Sequence, residues 1–217
     1  NGVVNRDLAV FFRAESLFHL GDYEAAAQIL KGFSRRFPQS TWRFRAQVRH
    51  GDCLMFRGAF KAGIRVLEDA LKTYPDYPHP VAIRVAIADG YRNIGRLDDA
   101  AAWLDQTLWK YPEDPQIHTV RKMLESVRTL GGVVPAHSPD FLYARGLDLR
   151  KRKYFGPATE ALQSVVNHDE TSPKLRWRAR YQIARTLFQM ERYPEAVTSF
   201  RALVTDAQNQ RTARWAR

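Results

Sequence analysis

The chain has 217 residues, 45% of them apolar, which is enough for one large domain or two small ones with a sizeable core. Its formal charge of +11 and its single cysteine, Cys53, exclude an internal disulfide framework and point to an anionic partner. No apolar run approaches the roughly 20 residues that a membrane-spanning helix needs.

The N-terminus, Asn1-Gly2-Val3-Val4, has no basic start, no signal-type apolar core and no initiator methionine. The expectation is a chain cut from a longer parent, with any targeting segment removed. The charge is uneven. Residues 1–130 carry 19 Lys/Arg against 15 Asp/Glu, and residues 131–217 carry 15 against 8.

A repeat organises the first part of the chain. Gly21-Asp-Tyr-Glu-Ala-Ala aligns with Gly58-Ala-Phe-Lys-Ala-Gly and with Gly95-Arg-Leu-Asp-Asp-Ala, at a spacing of 37 residues. Seventeen residues after each glycine stands a proline: Pro38, Pro75 and Pro112. Seven residues before each stands a small residue: Ala14, Gly51 and Ala88. This is the pattern of an antiparallel helix pair. The small residues let two backbones approach, the aromatic or leucine at the turn fills the wedge, and the proline stops the second helix.

The stretch 116–130 reads as an extra helix, with Ile117, Val120, Leu124 and Val127 at helical spacing. It is expected to pack on the third pair. "GGVVPAHSP" over 131–139 reads as a linker or hinge. Two further copies follow, with Gly146, Phe155 and Ala158 in one and Ala184, Tyr193 and Ala196 in the other. They lack the closing proline, so their second helices are expected to end less sharply. "NQRTARWAR" at the end reads as the start of a further helix. The expected fold is therefore all-α: an α-solenoid of antiparallel helix pairs wound as a right-handed superhelix. It has three pairs plus a helix in 1–130, a linker in 131–139, and two pairs plus a helix start in 140–217. The pattern resembles the tetratricopeptide repeat, whose usual period is about 34 residues.

No site motif for chemistry emerges. The six histidines, His19, His50, His79, His118, His137 and His168, stand singly without zinc-ligand spacing. There is no phosphate loop, no dinucleotide fingerprint and no nucleophile elbow. The expectation is no cofactor, no metal and no catalysis by this chain. Cys53 reads as a buried helix residue. A nucleic-acid partner lacks a recognised motif.

Binding in such an array falls to the face made by the first helices. One residue after the small position stand Glu15, Asp52 and Asp89, an acidic stripe. The other reading of that stripe is an interhelical salt-bridge ladder with Arg45, Arg49 or Arg92. In the C-terminal part the same face is expected to carry Tyr143, Arg150, Lys151, Arg178, Tyr181, Arg185 and Phe188. Arginine grips carboxylates or phosphates, and aromatics offer stacking faces. The bland reading there is a solvated basic face. Chaperone-tail adaptors of the tetratricopeptide class hold a terminal carboxylate with a Lys/Asn set. Here those places hold Phe11, Val48 and Val85, followed four residues on by Glu15, Asp52 and Asp89, which would repel a carboxylate.

The stretches "FRAESLFHLGDYEAAAQILKGFSRRFPQS" and "GRLDDAAAWLDQTLWKYPEDP" resemble the extended repeats of bacterial envelope proteins, including outer-membrane assembly lipoproteins and Tol-Pal coordinators. "FLYARGLDLRKRKYFGPATEAL" and "SPKLRWRARYQIARTLFQMERYPEAVTSF" resemble the helical superhelix of soluble lytic murein transglycosylases. That resemblance implies a non-catalytic arm in the bacterial periplasm or cell envelope that wraps peptidoglycan glycan or docks a protein partner. The family's catalytic Glu-Ser is followed by a Gly-Leu-Met-Gln segment. Neither Glu15-Ser16 nor Glu125-Ser126 has one, so no catalytic role passes to them. The alternative is a protein-interaction scaffold, cytoplasmic or in envelope assembly, holding a peptide through Phe11, Phe18 and Phe56.

Overall fold

A computed structural model of the protein describes the backbone of residues 6–215 and side chains as far as residue 206. These residues form two compact units, one ending at Pro135 and the other beginning at Ala136. The described secondary structure is helical throughout.

The first unit holds α1 (Arg6–His19), α2 (Tyr23–Leu30), α3 (Phe33–Arg36), α4 (Arg43–Phe56), α5 (Phe60–Thr73), α6 (Pro80–Asn93), α7 (Leu97–Lys110) and α8 (Ile117–Thr129). Helices α1/α2, α4/α5 and α6/α7 are the three pairs, and each second helix is covered by the first helix of the next. Helix α8 packs on α7 in the same way, burying Val120, Leu124 and Val127. In the second unit α9 (Pro139–Lys151) pairs with α10 (Phe155–Asn167), and α11 (Pro173–Gln189) pairs with α12 (Tyr193–Trp215).

The repeat columns explain why these segments pair. The small positions Ala14, Gly51, Ala88, Gly146 and Ala184 are all buried. A Cβ added at Gly51 would lie 2.5 Å from Leu67 Cδ2, and one at Gly146 would lie 2.6 Å from Leu162 Cγ. The close approach thus depends on the missing side chain. A leucine column, Leu30, Leu67, Leu104 and Leu162, fills the space between paired helices. Burying each such side chain contributes about 2 kcal/mol. The turn of every pair passes through left-handed backbone. Gly21, Gly58 and Gly95 take it in the first unit, but Lys153 (φ 66°) and Glu191 (φ 60°) take it in the second.

Three expectations need correction. The first pair's second helix is not continuous: it breaks at Lys31–Gly32 into α2 and α3, with Gly32 at φ 73°. The sequence read as a fresh helix after residue 208 instead continues α12, which runs unbroken to Trp215 because no proline or glycine interrupts it. The missing proline does not leave α10 ragged. Thr171 donates its hydroxyl to the Val165 carbonyl at 2.7 Å, and Ser172 caps α11 ahead of Pro173.

Arg84 is a feature the sequence did not advertise. It is buried between α6 and α7, where its Nε donates to Thr107 Oγ1 at 2.8 Å and its guanidinium lies 4.5 Å from the Trp103 ring centre. Its second hydrogen-bond partner is Gln106. Burial pulls its pKa below the usual arginine range.

Candidate functional site

The face made by α1 and α4 contains a cleft of about 390 Å³. Its walls are aromatic: Phe11, Phe12, Trp42, Phe44 and Tyr77. Phe11 and Trp42 pack with ring centres 4.8 Å apart, Phe12 meets Trp42 edge-on at 5.4 Å, and Phe44 lies against Tyr77 at 3.8 Å. The rings hold one another, so the cleft is preformed. Phe12 is half exposed and offers its surface to a ligand. Arg45 lies 5.0 Å over the Trp42 ring.

Charged residues line the same cleft. Arg49 donates from Nε to Glu15 Oε1 at 2.5 Å and from Nη2 to Glu15 Oε2 at 3.0 Å, a two-point grip between α1 and α4. Its Nη1 also reaches Asp52 Oδ2 at 3.3 Å, and the guanidinium covers the Phe18 ring at 4.2 Å. Two carboxylates thus share one guanidinium. Burial pushes the Asp52 carboxyl up to about 6; Arg49 opposes this and Glu15 adds to it. Cys53 is fully buried next to Asp52, and burial raises its thiol to about 11, which fits an inert core residue.

The acidic stripe is therefore a salt-bridge arrangement over its first two members. Glu15 and Asp52 are brought together by Arg49. Asp89 is not part of that cluster and pairs with Arg92 on its own helix at 2.5 Å. Arg45 takes no share in the ladder. Of the three phenylalanines expected to hold a peptide, only Phe11 lines the cleft. Phe18 and Phe56 gather with Tyr23 at the pair's turn, where Phe56 stacks on Tyr23 at 4.9 Å.

In the second unit the expected face is only partly exposed. Tyr143 is not a surface residue: it is 9% exposed and packs in the core with Leu142, Leu162, Val165 and Ala179. The reason is the next pair, whose Arg178 lies over the Tyr143 ring at 5.5 Å. Arg150 is half-buried and donates from Nη1 to Gln189 Oε1 at 3.1 Å, tying α9 to α11. Lys151 is exposed at the end of α9. Arg178, Tyr181, Arg185 and Phe188 are exposed along α11. Tyr181 stacks on Trp177 at 5.6 Å with the planes 5° apart, and Arg185 sits 5.9 Å from the Tyr181 ring. Arg185, Phe188, Gln189 and Phe200 line a second cleft of about 410 Å³. Trp177, Trp42 and Phe12 escaped the sequence reading because no repeat column flags them.

Among the described residues no group of three or more His, Cys, Asp or Glu side chains could hold a metal ion. No described helix is long and apolar enough to cross a membrane.

The comparisons agree with the repeat geometry. Residues 54–124 match one tetratricopeptide repeat family model, and residues 13–40 match another. Those two stretches thus carry tetratricopeptide repeats. No curated protein matches it. Similar solved structures include a tetratricopeptide repeat protein from Parabacteroides merdae, at 17% identity and TM-score 0.44, covering 93% of this chain and 67% of that one. A putative kinesin light chain with TPR-like repeats from Podosopora anserina shows 15% identity and TM-score 0.46, covering 94% of this chain and 97% of that one. MamA from Desulfovibrio magneticus shows 14% identity and TM-score 0.44, covering 95% and 97%.

Proposed function

We propose that the chain is a non-catalytic protein-interaction scaffold that seats an apolar segment of a partner in the α1/α4 cleft. The observation that carries this is the preformed aromatic wall of Phe11, Phe12, Trp42, Phe44 and Tyr77 around about 390 Å³ of open space. Such a wall recognises aromatic or aliphatic side chains, and Glu15, Arg49 and Asp52 add polar groups to its lining. Selection of random 12-residue displayed peptides on the purified chain tests it. The expected peptides are rich in aromatic and aliphatic residues. They hold their affinity at about 0.5 M salt, where the Debye length is only a few ångströms, and they lose it in Phe12→Ser. Peptides that bind Phe12→Ser equally well would overturn the reading.

A second reading is favoured by one observation, the parallel Trp177–Tyr181 stack flanked by Arg178 and Arg185. Stacked aromatics beside cations suit a sugar polymer with anionic groups. In that reading the chain is the superhelical arm of a peptidoglycan-cleaving lytic transglycosylase in the bacterial periplasm or envelope, as the resemblance of its later repeats implies. Co-sedimentation with insoluble peptidoglycan at about 50 mM and about 500 mM salt tests it. Salt-sensitive pelleting supports it, and a chain that stays in solution at both salts removes it.

A further inference from the structure

The first unit has a second cleft, of about 340 Å³, on the far side of α4 from the aromatic one. Helix α4 turns Val48, Arg49 and Asp52 to the aromatic cleft and His50 and Leu54, about half a turn round, to this one. Helices α2 and α5 form its flanks. Basic side chains converge on it: Lys31 at the end of α2, His50 from α4, Arg57 at the C-terminal cap of α4, and Arg65 from α5. They come from three helices in two successive pairs, so no one solvated helix face gathers them. Ala27, Leu54 and Val66 supply the apolar part of the lining.

The cations outnumber their counter-charges. The carboxylate in the lining, Glu24, is already held by Arg57 and accepts from Gln28 Nε2 at 2.9 Å. Lys31 and Arg65 form no ion pair among the described residues. On α5, Glu68 is turned away to accept from the Tyr91 hydroxyl at 2.8 Å, and Asp69 is exposed and outside the lining. The half-buried His50 ring makes no hydrogen bond among the described residues. Burial, with the Lys31 charge adding to it, holds its pKa below the usual histidine range. The neutral ring keeps one N–H to donate. Cations gathered without a counter-charge repel one another, and a bound anion relieves that repulsion.

A carboxylate would leave part of this donor set unused. A phosphate monoester carries about two negative charges and three terminal oxygens, one each for Lys31, Arg65 and the His50 N–H. The cleft is also much larger than one oxyanion needs, and its apolar lining suits a carbon body joined to the anion. We propose that this cleft binds the phosphate monoester of an organic ligand, with Lys31, His50 and Arg65 holding the phosphate and Ala27, Leu54 and Val66 lying against the ligand's body. A phosphorylated side chain of a protein and a small organic phosphate share this chemistry. The proposal concerns a different surface from the aromatic cleft and does not depend on a peptide being held there.

The intact chain would be titrated with phenyl phosphate and with the capped peptide Ala-Leu-phosphoserine-Leu-Ala, in about 0.1 M salt, while NMR follows the His50 ring. Benzoate and the unphosphorylated peptide are the comparisons. A saturable shift of the His50 resonances is expected with a phosphate ligand, and the bound ring should titrate at a higher pH than the free one. Arg65→Gln and Lys31→Gln should each weaken binding about tenfold, the loss of one charge-assisted hydrogen bond. Both side chains are exposed, and an unchanged thermal melt verifies folding. The double variant Arg178→Gln with Arg185→Gln, in the second unit, and Phe12→Ser, in the aromatic cleft, should leave binding unchanged. Tighter binding of the phosphopeptide supports a phosphorylated protein segment as the source, and tighter binding of phenyl phosphate supports a small organic phosphate. A His50 ring unmoved by both phosphates overturns the proposal. So does benzoate binding as tightly as phenyl phosphate, or binding that survives Arg65→Gln and Lys31→Gln undiminished.

Discussion

Asp52 is the residue where placement and chemistry are most at odds. It needs Arg49, but Arg49 is already held at two points by Glu15, and the Cys53 thiol beside it offers no charge to help. Its folded pKa of about 6 lies above the ordinary 3.8. A carboxyl raised on folding binds more protons in the native state between those values, so native stability falls as pH rises through that window. Asp52→Asn removes the ionisation. It is expected to stabilise the chain on the order of 2 kcal/mol at pH 7.5 and by almost nothing near pH 4. Urea melts of both proteins at the two pH values measure this. A destabilisation at pH 7.5 that fades near pH 4 would show that the ion pair with Arg49, and not burial, governs the site. The acid column itself could be read from the sequence. Which arginine engages it could not, since Arg45, Arg49 and Arg92 are all within a helical turn or two of an acid. Only the packing of α1 on α4 selects Arg49.

Among the elements, the turns between paired helices carry a contrast that composition alone obscured. Gly58 has left-handed backbone with nothing within 4 Å of a built Cβ, so only conformation constrains it. Glu191 holds the same conformation at φ 60° with a side chain. Left-handed backbone costs a non-glycine residue roughly 1 kcal/mol. Gly58→Ala is expected to destabilise by about 1 kcal/mol, and Glu191→Gly to stabilise by up to about 1 kcal/mol, less the extra freedom glycine gains when unfolded. Thermal melts of the two variants should move in opposite directions. The pairs themselves were legible because small, aromatic and proline positions recur at fixed spacing. The break at Gly32 was not, because a glycine inside an apolar helical pattern is tolerated as often as it is used. Nor was the burial of Tyr143: a position at the open edge of one pair is closed by a side chain from the next, here Arg178, and a column read within one repeat omits that neighbour.

At the scale of the whole molecule, the helix pairs within each unit touch mainly their sequence neighbours, so each unit's stability is close to a sum of pair and interface contributions. The α11/α12 pair packs on α10, and its Phe188, Tyr193, Val197 and Val204 are exposed. Its amides are expected to exchange hydrogen earlier than those of α10. Uniform exchange across the second unit would contradict that ordering.

The same arrangement has a mechanical meaning. An array held by contacts between successive hairpins resists a pull along the chain one hairpin at a time. Held in a laser trap by its ends, the protein should lengthen in steps. A step that frees one 37-residue repeat releases about 130 Å of contour. The hairpin of α11 and α12, with Phe188, Val197 and Val204 exposed, should yield at the lowest force.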